Sequence, residues 1–331
     1  RYYKVRPGEQ MKAMVLCAGY GTRLRPLTEK LPKPLIGIAG VTLLRDTLLH
    51  LHSQGIESAV VNGSWKGEML RSYLGRTDLP VDTVFQMEEE PLGTAGAVRK
   101  ALPMLGDRFL VVYGDNLSRQ PVAPLVKKHI ELSAEVTVAL SPTGRPSGKG
   151  IVLTAPDGRI TSFREKPPDE TAESNLANSG LYVCSRTAVE DLEEDRFCDF
   201  GSSLFPEMLQ SGRTLAAEFP GGYTRDIGTL KSFLLACHDV LSGKVRPLEP
   251  VSGLSGGRLI QSRQSWENIR LRGTFWAERN SEVKSGCVLE NCVVMESASV
   301  QWNCSLKNTL VLPGSTVPEG TEADDKYLKI F

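Results

Sequence analysis

The chain lacks an excess of either charge: across 331 residues, 39 Lys and Arg balance 39 Asp and Glu. A protein that works on nucleic acid carries a basic surplus, so the balance argues against a broad nucleic-acid surface. It leaves room for a local cationic pocket. No apolar run approaches the ~20 residues of a membrane helix, so no membrane partner is expected. Arg1–Gln10 is polar and lacks the apolar stretch of a secretory signal. These residues before Met11 read either as a natural extension or as an expression remnant. Cysteine is sparse and odd in number, seven with no CxxC pair. That argues against a disulfide framework or a structural zinc site, and for reduced thiols in a cytoplasmic setting. Histidine is scarcer still, with four residues and none beyond His238.

What is present is globular: 40% apolar and 24% charged residues exclude disorder over most of the chain. At roughly 150 residues per domain the length suggests two domains. Lys12–Cys17, Ser58–Asn62, Asp82–Met87 and Phe109–Tyr113 read as strands. Between them Thr42–Gln54, Lys66–Leu74 and Gly93–Leu102 read as helices, the first ending at Gly55. This alternation predicts an α/β fold with a mixed, mostly parallel sheet. Ligands in such sheets bind beyond the carboxyl ends of the strands, which directs attention to the loops after Cys17 and Tyr113. Further strands are expected at Val136–Leu140, Ile151–Thr154, Ile160–Phe163 and Leu181–Cys184, and a helix capped by Thr229 follows. Ser242–Arg258, rich in Pro and Gly, reads as a linker. Beyond it Val288, Val294, Val300, Leu306 and Leu312 recur every six residues. Five matches in succession argue for a parallel β-helix over a chance run. The expected domains are 11–243 and 258–331.

The loop Ala18-Gly19-Tyr20-Gly21-Thr22-Arg23-Leu24-Arg25 follows the first strand directly. Its glycines let backbone amides approach an anion, and Arg23, Arg25 and Lys33 add cations suited to a polyphosphate. Read alone, a GxG is also a tight turn. The prolines beside Lys33, in Leu31-Pro32-Lys33-Pro34-Leu35, stiffen its backbone. The P-loop spacing is absent, and Arg25 stands where a dinucleotide fingerprint has its third glycine. A Gly93-Thr94 pair opens the third helix, and Gly114-Asp115-Asn116 ends a strand. Asp115 there suits Mg²⁺, a cation that takes oxygen ligands, although Asp and Asn also favour turns by themselves.

GYGTRLRPLT followed by LPKPL resembles the signature of the sugar-1-phosphate nucleotidyltransferases, and further motifs follow in that family's order. The resemblance implies a Rossmann-like nucleotidyltransferase domain. The six-residue repeat then implies a short C-terminal left-handed parallel β-helix of hexapeptide repeats. It implies a reaction in which a sugar 1-phosphate attacks a nucleoside triphosphate, releasing pyrophosphate. Arg23 and Lys33 would be catalytic, stabilising charge on the triphosphate. Ala18, Gly19, Gly21, Thr22, Gln86, Gly93 and Thr94 would complete the nucleotide site. Asp115 and Asp226 would hold Mg²⁺. Gly150, Glu165, Lys166 and Asn178 would bind the sugar phosphate. Lys149 and Ser179 depart from the usual aromatic and alanine at their positions, and Ser179 is expected to offer the sugar a hydroxyl. EEEPLGTAGA is similar to the mannose-1-phosphate guanylyltransferases, which favours GTP. Other nucleotides and sugar phosphates, and a silent sugar-nucleotide-sensing homologue, stand as alternatives. Some family members carry a β-helix that is an acyltransferase with a catalytic His, which this chain lacks there. Self-association or packing on the catalytic domain then remains for the repeat, with Met295 and Trp302 as candidate contacts.

Overall fold

The computed structural model describes residues 10–329. Most of the N-terminal segment that the sequence left as extension or remnant therefore lies outside the described residues. By their contacts the residues form two compact units. One comprises residues 10–20 with Thr47–Thr224; the other comprises Gly21–Asp46 with residues 225–329.

The first unit is built on β1 (Lys12–Leu16), α1 (Leu43–Ser53, which begins in the other unit's range), β2 (Ser58–Gly63), α2 (Gly67–Arg76), β3 (Asp82–Met87), α3 (Gly93–Ala101) and β4 (Arg108–Tyr113). After α4 (Ala123–Glu131) come β5 (Val136–Pro142), β6 (Gly150–Thr154), β7 (Ile160–Glu165), β8 (Leu176–Ser185) and β9 (Leu215–Glu218). The strands form one mixed sheet in the order β7-β6-β8-β4-β1-β2-β3, with β5 beside β8 and β9 beside β5. β1 pairs in parallel with β2 and β4, whereas β8 runs antiparallel to β4, β5 and β6. Met14, Val60, Phe109, Val111 and Tyr182 are buried in its core, which explains the near-continuous apolar runs of the central strands. α1 buries Leu44, Leu48 and Leu51, and its end is closed by Gly55 at φ 84°, whose N–H bonds the His52 carbonyl.

In the second unit Thr229 caps α5 (Leu230–Leu241), its hydroxyl accepting the Ser232 N–H at 3.1 Å. Two short strands, Leu254–Ser255 and Arg258–Ile260, end the Pro/Gly segment; after them come β10 (Arg270–Ala277), β11 (Glu282–Val283), β12 (Val288–Val294), β13 (Ser299–Val300), β14 (Ser305–Lys307), β15 (Leu310–Val311), β16 (Thr316–Val317), β17 (Glu322–Asp324) and β18 (Tyr327–Leu328). Among β11–β18 the parallel pairs keep a fixed offset: Leu289 with Leu306 and then Ala323, Val283 with Val300 and then Val317, Val294 with Val311 and then Leu328; β10 pairs with β12 at 18 residues up to Arg272 and, past a bulge, at 17 from Phe275. The offset is 17 residues, so the six-residue period of the sequence is not kept throughout. Val294, Val300 and Leu306 do point into the stacked interior, but Leu289 and Val311 occupy it where Val288 and Leu312 were expected. Two steps of six and one of five close each turn. Met295 is buried and Trp302 is 47% exposed. The Pro/Gly segment is pinned within its unit: Arg45 donates two hydrogen bonds to Glu249, at 2.6 and 2.8 Å. The guanidinium lowers the Glu249 pKa. No helix among the described residues is long and apolar enough to cross a membrane.

Candidate functional site

The second unit carries the cationic part of the signature. Gly21 has φ 63°, and a Cβ there would lie 2.7 Å from Cγ2 of Thr28, so this position is closed to other residues. Thr28 in turn donates its hydroxyl to the Gly21 carbonyl at 2.8 Å, which folds Thr22–Leu24 into a short 3₁₀ turn. Arg23 and Arg25 stand exposed on that turn. Pro32 delivers Lys33 into a second 3₁₀ turn, where it is 7% exposed. Its Nζ lies 3.4 Å from Oδ1 of Asp226. Gly228 lies beside both charges: a Cβ there would come 3.0 Å from the Arg23 guanidinium and from the Asp226 carboxylate. The structure thus gathers Gly21, Arg23, Lys33 and Asp226, which are spread over two hundred residues of sequence.

The first unit holds the remaining predicted residues, in two groups. At the carboxyl end of β1, Ala18 and Gly19 leave the sheet, and the Cys17 N–H is held by Oδ1 of Asn62 at 2.7 Å. Beside them Gly114 packs where a Cβ would strike the Cys17 sulfur at 2.5 Å, and Asp115 follows. Burial, with Asp115 contributing, pushes the Cys17 thiol pKa up. On β3, the edge strand beside β2, Gln86 is 6% exposed; its Nε2 donates to the Ala97 carbonyl, while its Oε1 receives no hydrogen bond from the described residues. Gly93 opens α3 at φ 75°, with the Cys198 carbonyl 2.5 Å from where a Cβ would stand. The Thr94 hydroxyl is already engaged: it donates to Asp199 Oδ1 at 3.1 Å and accepts the Phe200 N–H at 2.9 Å.

The second group joins β6, β7 and β8. Gly150 pairs with Glu165 across the ladder, and a Cβ on Gly150 would lie 2.9 Å from the Glu165 carboxylate. Lys166, at φ 49°, places Nζ 3.4 Å from the same carboxylate. Asn178 Nδ2 donates to the Tyr182 hydroxyl at 2.6 Å, and that hydroxyl donates to Tyr113 at 3.1 Å. Burial raises the Tyr113 pKa to about 12, so both phenols stay protonated. Asn116 donates to the Ser179 carbonyl, which brings the Asp115 turn beside Asn178. Ser179 corrects an expectation: its hydroxyl donates to the Ala139 carbonyl at 2.9 Å inside the sheet and is 7% exposed, so its proton is unavailable to a sugar.

Asn62, Glu88, Asp199 and Tyr182 were missed by sequence reading. Glu88 sits inside the EEEPLG string, and a charged residue next to a strand end reads as solvated surface. Asp199 lies in no motif. Among the described residues no three His, Cys, Asp or Glu side chains gather as a metal cage. The chemistry of the proposed donors nonetheless fits Mg²⁺, which takes one or two carboxylates and fills its shell with water and phosphate oxygens.

A mixed Rossmann-like sheet with a glycine loop at the end of its first strand defines a nucleotide-binding α/β protein. Residues 12–243 match the nucleotidyl transferase family. The chain is 30% identical over 302 residues to a mannose-1-phosphate guanylyltransferase of Mycobacterium tuberculosis, covering 90% of this chain and 83% of the relative. It is 28% identical over 339 residues to a UTP–glucose-1-phosphate uridylyltransferase of Synechocystis, covering 96% and 87%. Among solved structures the fold matches HddC of Yersinia pseudotuberculosis, one structure of which is complexed with GMP-PN. The TM-score is 0.60 at 24% identity, over 69% of this chain and 99% of that one. The chain belongs to the nucleotidyl transferase family and is a sugar-1-phosphate nucleotidyltransferase.

Proposed function

We propose that the chain makes GDP-mannose from GTP and mannose 1-phosphate. The gathering of Arg23, Lys33 and Asp226 around one short turn carries the reading for triphosphate chemistry. The choice of guanine and mannose rests on the guanylyltransferase relatives. An oxygen of the sugar phosphate, already ionised near neutral pH, forms the new bond to the α-phosphorus. The bond from that phosphorus to the β-phosphate oxygen breaks, and pyrophosphate leaves with the electron pair. No general base and no covalent enzyme intermediate are needed. Such transfers depend on positioning and on charge stabilisation. Arg23 and Lys33 bind the triphosphate and stabilise its developing charge, with Ala18, Gly19, Gly21 and Thr22 supplying loop backbone. Gln86, whose Oε1 is an unused buried acceptor, takes a base N–H, with Gly93 and Thr94 forming the adjoining backbone. Glu165 accepts from sugar hydroxyls; Lys166 binds the sugar phosphate, with Gly150 and Asn178 beside them. Asp115 and Asp226 would hold Mg²⁺, which when bound offsets the repulsion between the two anionic substrates.

We read the parallel stack as a left-handed β-helix, and 11–243 and 258–331 as catalytic and C-terminal domains. The end of the family match at 243 supports that boundary. Self-association through the stack, with Trp302 exposed on it, and a cytoplasmic location complete the reading.

The test is pyrophosphate release from a panel of GTP, UTP, dTTP, ATP and CTP with mannose, glucose, heptose and N-acetylhexosamine 1-phosphates. Preference for GTP with mannose 1-phosphate is expected. The uridylyltransferase relative, matched over 96% of this chain, favours UTP with glucose 1-phosphate as the second reading. GDP-mannose binding without turnover of any pair would identify a silent sensor.

A further inference from the structure

The first unit buries a carboxylate that the reaction does not use. Glu88 is 2% exposed, as is Asn62. Glu88 Oε1 accepts Asn62 Nδ2 at 2.6 Å, and Glu88 Oε2 accepts the Leu92 N–H at 3.1 Å. Asn62 Oδ1 accepts the Cys17 N–H at 2.7 Å. Leu92 is the N-cap of α3, where unsatisfied amides favour an anion. One carboxylate therefore ties together two segments: the loop that leaves β1 at Ala18, and the block that opens at Gly93 and Thr94.

We propose that Glu88 is a positioning residue for nucleotide binding. Acting through Asn62 it fixes the Cys17 amide, and through Leu92 it fixes the start of α3. The inference rests on the reading that these two segments hold the nucleoside triphosphate. Its physical basis is the polarity of the chain of hydrogen bonds. A carboxylate offers two acceptors and no donor, so Asn62 must turn its amino group toward Glu88 and its oxygen toward Cys17. Glu88→Gln leaves a side chain with one oxygen. If that oxygen keeps the Leu92 N–H, its amino group faces Asn62 donor to donor. If Asn62 flips in response, its own amino group faces the Cys17 N–H. Either way one buried donor is left unmet, at a cost borne by the loop. Asn62→Asp alone sets two buried carboxylates against each other. The two changes together restore a complete chain. The new carboxylate accepts from the Cys17 N–H and from the amino group of the new amide, whose oxygen accepts from Leu92.

The experiment measures E88Q, N62D and the E88Q/N62D double variant. GTP and UTP affinities, KM and kcat are read together with amide hydrogen exchange at Cys17. For E88Q the KM of the preferred nucleotide is expected to rise about tenfold. Its kcat at saturation should hold within about threefold, and Cys17 exchange should quicken. The double variant should recover most of both losses, which a role in packing alone would not produce. Should E88Q fail to fold, the double variant decides: recovery of fold and affinity supports the proposal, and its absence overturns it. Wild-type affinity in E88Q, or equal loss in E88Q and the double variant, overturns the proposal while leaving the family reading intact. A wild-type chain that binds no nucleoside triphosphate overturns the nucleotide reading itself, and the proposal with it.

Discussion

Lys33 Nζ lies 3.4 Å from Asp226 Oδ1, so the signature lysine is held by the aspartate proposed to bind Mg²⁺. The pair is asymmetric: the lysine side chain is 9% exposed and the aspartate 43%. A half-exposed pair of this kind contributes at most about 1 kcal/mol to stability. Its place beside Arg23 suits the use proposed for it, as charges set in position before the triphosphate arrives.

Lys33→Ala is therefore expected to separate activity from stability. Loss of a positioned cation aimed at developing charge costs roughly 10²- to 10³-fold in kcat. The melting temperature should fall by only a few degrees, in line with about 1 kcal/mol. Asp115→Ala should behave alike. Pyrophosphate release and a thermal melt on the same sample check this, and full turnover in either variant would contradict the assigned roles.

Gly150→Ala tests the sugar-phosphate block by crowding it. The new Cβ would lie 2.5 Å from Phe163 Cζ and 2.9 Å from Glu165 Oε2. Phe163 is a core residue and gives way at a cost of about 1–3 kcal/mol, so the Glu165 carboxylate is displaced as well. KM for the sugar 1-phosphate should rise well above that for the nucleotide. Gly144→Ala, where a Cβ meets nothing within 4 Å, is the neutral control.

His129 gives a pH prediction. Its ring bonds Thr137 and Ser185, each at 3.0 Å, and it is 2% exposed. Burial, with a smaller contribution from Arg108, lowers its pKa from 6.5 to about 4. Between those values the unfolded chain binds a proton that the folded chain refuses. Stability is therefore intact above pH 6.5 and is lost as pH falls toward 4. From pH 7.5 to 5 the wild type should lose about 2 kcal/mol more than His129→Gln, measured by denaturant unfolding. Parallel curves would refute the buried neutral ring.

The alternation of strands and helices up to Tyr113 was legible because each element has a clean apolar period. Gly21 and Lys33 were legible as members of one family signature, GYGTRLRPLT followed by LPKPL, which the family match over residues 12–243 bears out. The pairing of Lys33 with Asp226, the Arg45–Glu249 clamp on the supposed linker, and the Asn62–Glu88 chain were not legible. Each is a contact between distant residues whose types are ordinary at the surface. Ser179 was misread for the same reason: the sequence shows a hydroxyl but not that Ala139 already accepts it.

The C-terminal stack carries the last prediction, since two registers make opposite claims about adjacent residues. A strict period of six points Val288 inward; the observed turn of 17 residues points Leu289 inward, where it stacks on Leu306. Leu289 is fully buried, whereas Val288 is only half-buried. Truncating a buried leucine removes its transfer energy and leaves a cavity, at about 2–5 kcal/mol. A partly exposed valine loses at most about 1 kcal/mol on the same change. Leu289→Ala should therefore lower the denaturant midpoint far more than Val288→Ala. The opposite order would restore the strict period of six and displace the 17-residue turn.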